Sequence, residues 1–216
     1  MYKRQAIFDT DENLLLSSGT ASGKTEAAFL PVLTRLWENP SASVGVLYLS
    51  PLKALINDQF ERLEGLLEEA AIPVTKWHGD ASAAAKKRVM KRPQGIIQTT
   101  PESLESMLMH NSSGAYRLFS DLRFIIIDEM HYFMDNDRGL QLLCLLERLA
   151  RLIGYHPRRI GLSATLGDCT SAVQWLNTDS GRDCIVPKCH EKGRSLRLSV
   201  RFFPNKEKIP NSDLSL

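Results

Sequence analysis

A lysine and a hydroxyl close a run of small residues: Ser18, Gly19, Thr20, Ala21, Ser22, Gly23, Lys24 and Thr25. Such a run can wrap a phosphate, because small side chains let backbone N–H groups turn inward around anionic oxygens. In the general pattern of Gly, four residues and Gly-Lys-Ser/Thr, the lysine reaches the terminal phosphates of a nucleotide and the hydroxyl binds Mg²⁺. Here Ser18 takes the place of the first glycine, and Lys24 and Thr25 take those two roles. A second chemical pair, Asp128 and Glu129, follows three isoleucines in "FIIIDEMH", residues 124–131. Asp128 is suited to hold Mg²⁺ through a water, since that ion keeps several of its waters. Glu129 is suited to polarise an attacking water as a general base.

Both groups need elements to position them. "NLLLS" (13–17) reads as a buried strand and 24–37 as a helix, whose N-terminus then faces the anion. Further strands are expected at 44–50, 73–77, 95–99, 123–127 and 158–162. Further helices are expected at 52–70, 81–91, 101–110, 138–153 and 168–176. The strand segments are aliphatic runs without alternation, as in strands buried on both faces. Strand–helix alternation predicts an α/β fold: a mostly parallel central sheet with helices on both faces. Ligands of such sheets sit at the carboxyl ends of the strands, which is where the loop and the acidic pair fall. Beyond residue 178 the alternation stops. "RDCIVP" (182–187) and "LRLSVRFFP" (196–204) each read as one more strand, and 205–216 as a polar tail.

Composition narrows the class. With 27 basic and 25 acidic residues the net charge is +2, so charge alone argues for no strong attraction to a polyanion. No apolar run approaches the roughly 20 residues of a membrane span, and no secretory pattern opens the chain. Four cysteines in such a context read as reduced thiols in the cytoplasm.

In order along the chain stand "SGTASGKT" (18–25), "SPLKALINDQ" (50–59), "HGD" (78–80), "TTPESL" (99–104), "DEMH" (128–131) and "SAT" (163–165). Six ordered motifs over about 150 residues are far more specific than any one of them. The sequence resembles the first, N-terminal RecA-like ATP-binding domain of superfamily 2 helicases of the DExH/DEAD-box type. "LPVL" (30–33) and "RGLQLLCLLERL" (138–149) resemble the Lhr and Ski2-like branch. The resemblance implies a P-loop NTPase domain over 6–178, with 179–216 as terminal strands and the start of a linker to a second RecA-like domain. It implies ATP and Mg²⁺ as cofactors and DNA or RNA as partner. Gly19 through Thr25 would bind ATP, with Thr25 and Asp128 at Mg²⁺. Glu129, Asp128 and Lys24 would serve catalysis. Ser163, Ala164, Thr165 and His131 would couple the ATP state to motion. Pro51, Lys53, Gly79, Thr100 and Pro101 would line the nucleic-acid track, which holds phosphates without reading bases. Two alternatives stay open: a translocase that separates no strands, and a nucleic-acid-binding or scaffold module without turnover.

The chain departs from the family pattern in places. Ser18 and Ala21 replace the usual Ala and Gly of "AxTGSGKT", and Met130 fills a variable position. No arginine-rich motif of a second domain is present. Gln5 is poorly placed as the adenine-reading glutamine, since the "Q..AI" pattern puts that residue at Lys3. Residues 1–5 and 214–216 are expected to be non-native: TATAAGAGACAG encodes Tyr2–Gln5, and CTGTCTCTT, related to it by reverse complement, encodes Leu214–Leu216. Cys184, Cys189 and His190 cluster without the second paired set that a zinc site needs. "KKRVMKR" (86–92) reads as the solvated face of a helix. Trp37, Trp77 and Trp175 read as helix–sheet packing.

Overall fold

The structure is a computed structural model and describes residues 7–17, 24–68, 71–164 and 169–187. Seven strands form one sheet: β1 (Asn13–Ser17), β2 (Val44–Leu49), β3 (Val74–Trp77), β4 (Gly95–Thr99), β5 (Phe124–Ile127), β6 (Arg158–Ser163) and β7 (Cys184–Ile185). Their order is β3-β4-β2-β5-β6-β1-β7, and every pairing is parallel. Seven helices lie in full among the described residues: α1 (Lys24–Glu38), α2 (Lys53–Glu68), α3 (Ala83–Lys91), α4 (Pro101–His110), α5 (Ser112–Phe119), α6 (Asp137–Ile153) and α7 (Cys169–Asn177).

The aliphatic runs explain the layers. Within a strand successive side chains point to opposite faces. Leu15, Leu47, Leu49, Ile97, Ile125 and Ile127 pack on one face with Leu104, Leu118, Leu145 and Leu176 from α4 to α7. Leu14, Leu16, Val46, Tyr48, Ile126 and Ile160 pack on the other with Phe29, Val32 and Leu36 of α1. Each such side chain contributes about 1.5–3 kcal/mol on burial, so apolar packing fixes the middle of the sheet. The rim is left for polar groups. Because all strands run the same way, the residues that follow β1, β2, β3, β4, β5 and β6 come out at one edge.

Helix ends follow local chemistry. Thr100 caps α4 by accepting from Ser103 N–H, with Pro101 at the first helical position. Asn136 caps α6, which Gly154 ends in the left-handed region at φ 88°. At the opposite edge Arg158 and Arg159 are buried. They donate to the carbonyls of Glu12 and Ile7, and of Leu176 and Thr178, and burial pushes both down to about 10.

Helix α5 is an element that the sequence pattern did not yield. Asn111 both ends α4, through its N–H on the Met107 carbonyl, and starts α5, by accepting from Gly114 N–H. "HNSSG" therefore reads as a turn while it serves as a splice between two helices. Trp37 is a correction: it is 70% exposed rather than packed at an interface. It lies one residue past the buried Leu36, about 100° round α1, at the helix's last turn. Trp77 and Trp175 do pack against the core. "RDCIVP" contributes β7. The segment 196–204, the tail, both termini, the loop 18–23, Thr165, Cys189 and His190 lie outside the described residues.

Candidate active site and groove

Three adjoining strands, β5, β6 and β1, bring together side chains far apart in sequence. Lys24 opens α1 beyond β1 and donates from Nζ to the Ser163 carbonyl, 2.7 Å away at the end of β6. Thr25 follows on the first turn of α1. Asp128 continues β5 by one ladder bond, its N–H on the Leu49 carbonyl at 2.8 Å. The backbone then turns at Glu129, which sits in the left-handed region at φ 44°, ψ 48°. That conformation costs a non-glycine residue about 1–2 kcal/mol. It starts a 3-10 turn over Met130–Tyr132, so Glu129 leaves the strand row and Met130 enters the core. Glu129 Oε2 lies 3.2 Å from His131 Nδ1, which is also 3.3 Å from Ser163 Oγ. The Ala164 carbonyl accepts from Ser17 Oγ at 3.2 Å.

Asp128 is 6% exposed. One of its oxygens accepts from the Tyr48 hydroxyl and the other from Glu129 N–H at 3.0 Å. Burial holds its carboxyl above the usual range. The Tyr48 bond and Lys24 act against burial, and the Glu129 charge adds to it. A buried carboxylate beside a second carboxylate is a place where a cation relieves repulsion, so the chemistry of Asp128 and Glu129 fits a divalent cation. Among the described residues no cluster of three or more His, Cys, Asp or Glu could hold a metal alone. Burial pushes the Cys184 thiol up to about 12.

The predicted track residues gather at the ends of β2, β3 and β4, along a groove of about 500 Å³. Pro51, Lys53, Gly79 and Thr100 line it, and Pro101 starts α4 behind Thr100. Lys53 pairs with Asp80 at 2.9 Å on the exposed rim. Lys86 departs from the solvated face expected of 86–92. It donates to the His78 carbonyl and its Nζ lies 5.8 Å from the Trp77 ring centroid.

Sequence reasoning missed two groups. Tyr48 is a polar tip in an aliphatic strand, and a buried phenol needs a partner; that was its one signal. His78 stood inside a quoted motif, yet its burial was not foreseen. It is 4% exposed, and neither ring nitrogen has a hydrogen-bond partner among the described residues. Its pKa is lowered by burial, with Asp80 opposing and Lys53, Lys76 and Lys86 adding to the fall.

A parallel sheet with helices on both faces, a lysine beyond β1 and an acidic pair after β5 on either side of β6, and a groove beside them make a RecA-like architecture. The profile of the DEAD/DEAH box helicase family matches residues 2–172, and the chain belongs to that family. It is 37% identical over 205 residues to the ATP-dependent helicase Lhr-Core of Methanothermobacter thermautotrophicus, covering 85% of this chain and 23% of that protein. Among solved structures it resembles Mycobacterium smegmatis helicase Lhr bound to ssDNA and AMP-PNP. The TM-score is 0.72 at 31% identity, over 86% of this chain and 25% of the other. Helicase MrfA bound to DNA and AMPPNP matches at TM-score 0.75 and 28% identity, over 87% of this chain and 26% of the other. The chain thus spans about a quarter of the length of these relatives. No helix among the described residues is long and apolar enough to cross a membrane.

Proposed function

We propose that this chain is the first RecA-like motor domain of an ATP-driven helicase that moves on, or unwinds, DNA or RNA. One observation carries the reading: Lys24, Asp128, Glu129, His131 and Ser163 converge from three separate segments, beside a groove lined by Pro51, Lys53, Gly79 and Thr100. Lys24 and the 18–23 loop would hold the β and γ phosphates of ATP. Thr25 and Asp128 would hold Mg²⁺, partly through water, and the ion would neutralise phosphate charge. Glu129 would orient the attacking water and take its proton. His131, Ser163, Ala164 and Thr165 would pass the ATP state to the groove. There Lys53, the Thr100 hydroxyl and the backbone at Pro51, Gly79 and Pro101 would hold backbone phosphates. The proposed compartment is the cytoplasm, which the four cysteines support.

The isolated chain is expected to bind ATP and turn it over feebly. An arginine supplied by a second motor domain is worth roughly 10³–10⁵ in rate in related NTPases. The test is ATP hydrolysis by the natural polypeptide that carries this chain, with and without single-stranded DNA or RNA, beside Glu129→Gln. Stimulation by either polymer, abolished in the variant, is the expected result, and the better activator names the substrate. ATP binding with a negligible rate that neither polymer changes would sink the motor reading.

A further inference from the structure

Arg138, the second residue of α6, lines the groove, and its guanidinium joins three segments. One Nη donates to the Pro51 carbonyl at 2.6 Å. That Nη and Nε reach the same Glu102 oxygen at 2.7 and 2.8 Å. The guanidinium carbon lies 5.5 Å from the Phe133 ring centroid. Pro51 follows β2 at the groove. Glu102 is on the first turn of α4, behind the cap Thr100. Phe133 is fully buried at the end of the turn that carries Glu129 and His131.

An exposed ion pair stabilises little, and the Glu102 side chain is 54% exposed. A lone surface pair, however, does not also hold a main-chain carbonyl and lie over a core aromatic. The planar fork of arginine can do all three, and a lysine cannot. The start of α6 is also locked to the acidic turn. A Cβ on Gly139 would stand 1.6 Å from the Phe133 carbonyl oxygen, so these two backbones are in direct contact. Asn136 reinforces this: it caps Gly139 N–H at 3.0 Å while donating to the Tyr132 carbonyl at 3.0 Å. Any displacement of the turn must therefore carry Arg138 with it, and Arg138 pulls on Pro51 and Glu102.

We propose that Arg138 is a positioning residue that couples the acidic turn to the groove segments at Pro51 and Glu102, so that nucleotide and nucleic acid sense one another through it. This rests on the motor reading above. From its place at the groove wall, Arg138 sets where two stretches of groove backbone stand for a given position of the turn.

The test compares Arg138→Gln and Arg138→Lys with the parent in the natural polypeptide. ATP hydrolysis is measured against concentration of a single-stranded oligonucleotide. For Arg138→Gln we expect a basal rate within about twofold of the parent and a half-stimulating concentration within about threefold. Its maximal stimulation should fall about tenfold, inside the roughly 5–150-fold range of coupled sites. Arg138→Lys should fall between, because one ammonium cannot hold Pro51 and Glu102 as a fork does. Unchanged maximal stimulation in Arg138→Gln overturns the proposal. So does a proportional loss of basal and stimulated rates together with the melting temperature, which marks a purely structural role. If the parent itself is not stimulated, the motor reading falls separately, and amide hydrogen exchange judges the coupling. Faster exchange at Leu52–Ala54 and Glu102–Leu104 in Arg138→Gln upholds it, and unchanged exchange overturns it.

Discussion

Replacing Tyr48 by Phe removes one buried oxygen and keeps the ring. Tyr48 is fully buried, its ring centroid 5.5 Å from that of Phe29, and its hydroxyl donates to the Asp128 carboxylate. The lost group is a hydrogen bond to a charged acceptor, worth about 1.5–3 kcal/mol. At about 2–4 °C per kcal/mol for a chain of this size, the melting midpoint should fall by about 3–12 °C. Activity should fall as well. Burial already holds the Asp128 carboxyl above its ordinary range, and the Tyr48 bond is the first influence acting against it. Without that bond the carboxyl protonates more readily, so the acid limb of the rate profile moves to higher pH. Partners of metal-holding groups typically matter by about 10–100-fold, and ATP hydrolysis should drop by that factor with a raised Mg²⁺ requirement. The assay is a Mg²⁺ titration of hydrolysis at several pH values, beside thermal melts of Tyr48→Phe and the parent. A lowered midpoint with unchanged Mg²⁺ requirement and acid limb would refute a chemical role for Tyr48. An unchanged midpoint would refute the hydrogen bond itself.

Other outcomes test other parts of the reasoning. A carboxyl whose folded pKa lies above its unfolded value binds its proton more tightly when folded; its ionisation costs stability above that range, and the cost fades as pH falls toward the unfolded value. Asp128→Asn should therefore melt higher than the parent at neutral pH without Mg²⁺ or nucleotide, should converge with it toward about pH 4, and should not hydrolyse ATP; a lower midpoint at neutral pH contradicts the burial argument. Lys53→Gln should weaken single-stranded binding and reduce the salt slope by about 0.7, the share of one phosphate contact; an unaltered slope means that Lys53 serves only Asp80. Gly139→Ala should destabilise by about 3 kcal/mol or more in chemical denaturation, because its Cβ meets the Phe133 carbonyl oxygen rather than a side chain that can move; a loss under about 1 kcal/mol would show that the α6 start is not locked to the turn.

The places of the lysine and the acidic pair were legible in the sequence for a local reason. Asp128 and Glu129 stand directly after a run of buried aliphatic residues, and Lys24 follows another such run after residues 18–23; in a parallel sheet the ends of such runs fall at the ligand edge. Pro51, Thr100 and Pro101 were expected at a nucleic-acid track from the motif order of the resembled family, and the fold sets them just past β2 and β4. Tyr48 was not, because its role depends on β2 lying beside β5, with Tyr48 in register with Ile126 two positions before Asp128. Arg138 looked like one charge on an amphipathic helix, and its partners Pro51 and Glu102 are 87 and 36 residues away. Trp37 was misread because an aromatic type says nothing of which side of α1 it occupies at the last turn.

The sequence by itself determined the strand runs, the small-residue loop with Lys24 and Thr25, the acidic pair and the parallel class. Those are properties of local period, side-chain size and backbone preference. The tertiary structure alone decided that β5, β6 and β1 are neighbours, with β2 beside β5. That arrangement set Lys24 against Ser163, Tyr48 against Asp128 and Arg138 against Pro51. The physical reason is that a crossover helix can lead its strand to any free place in a parallel sheet. Which place is taken depends on how all the strands and both helix layers bury their apolar faces together.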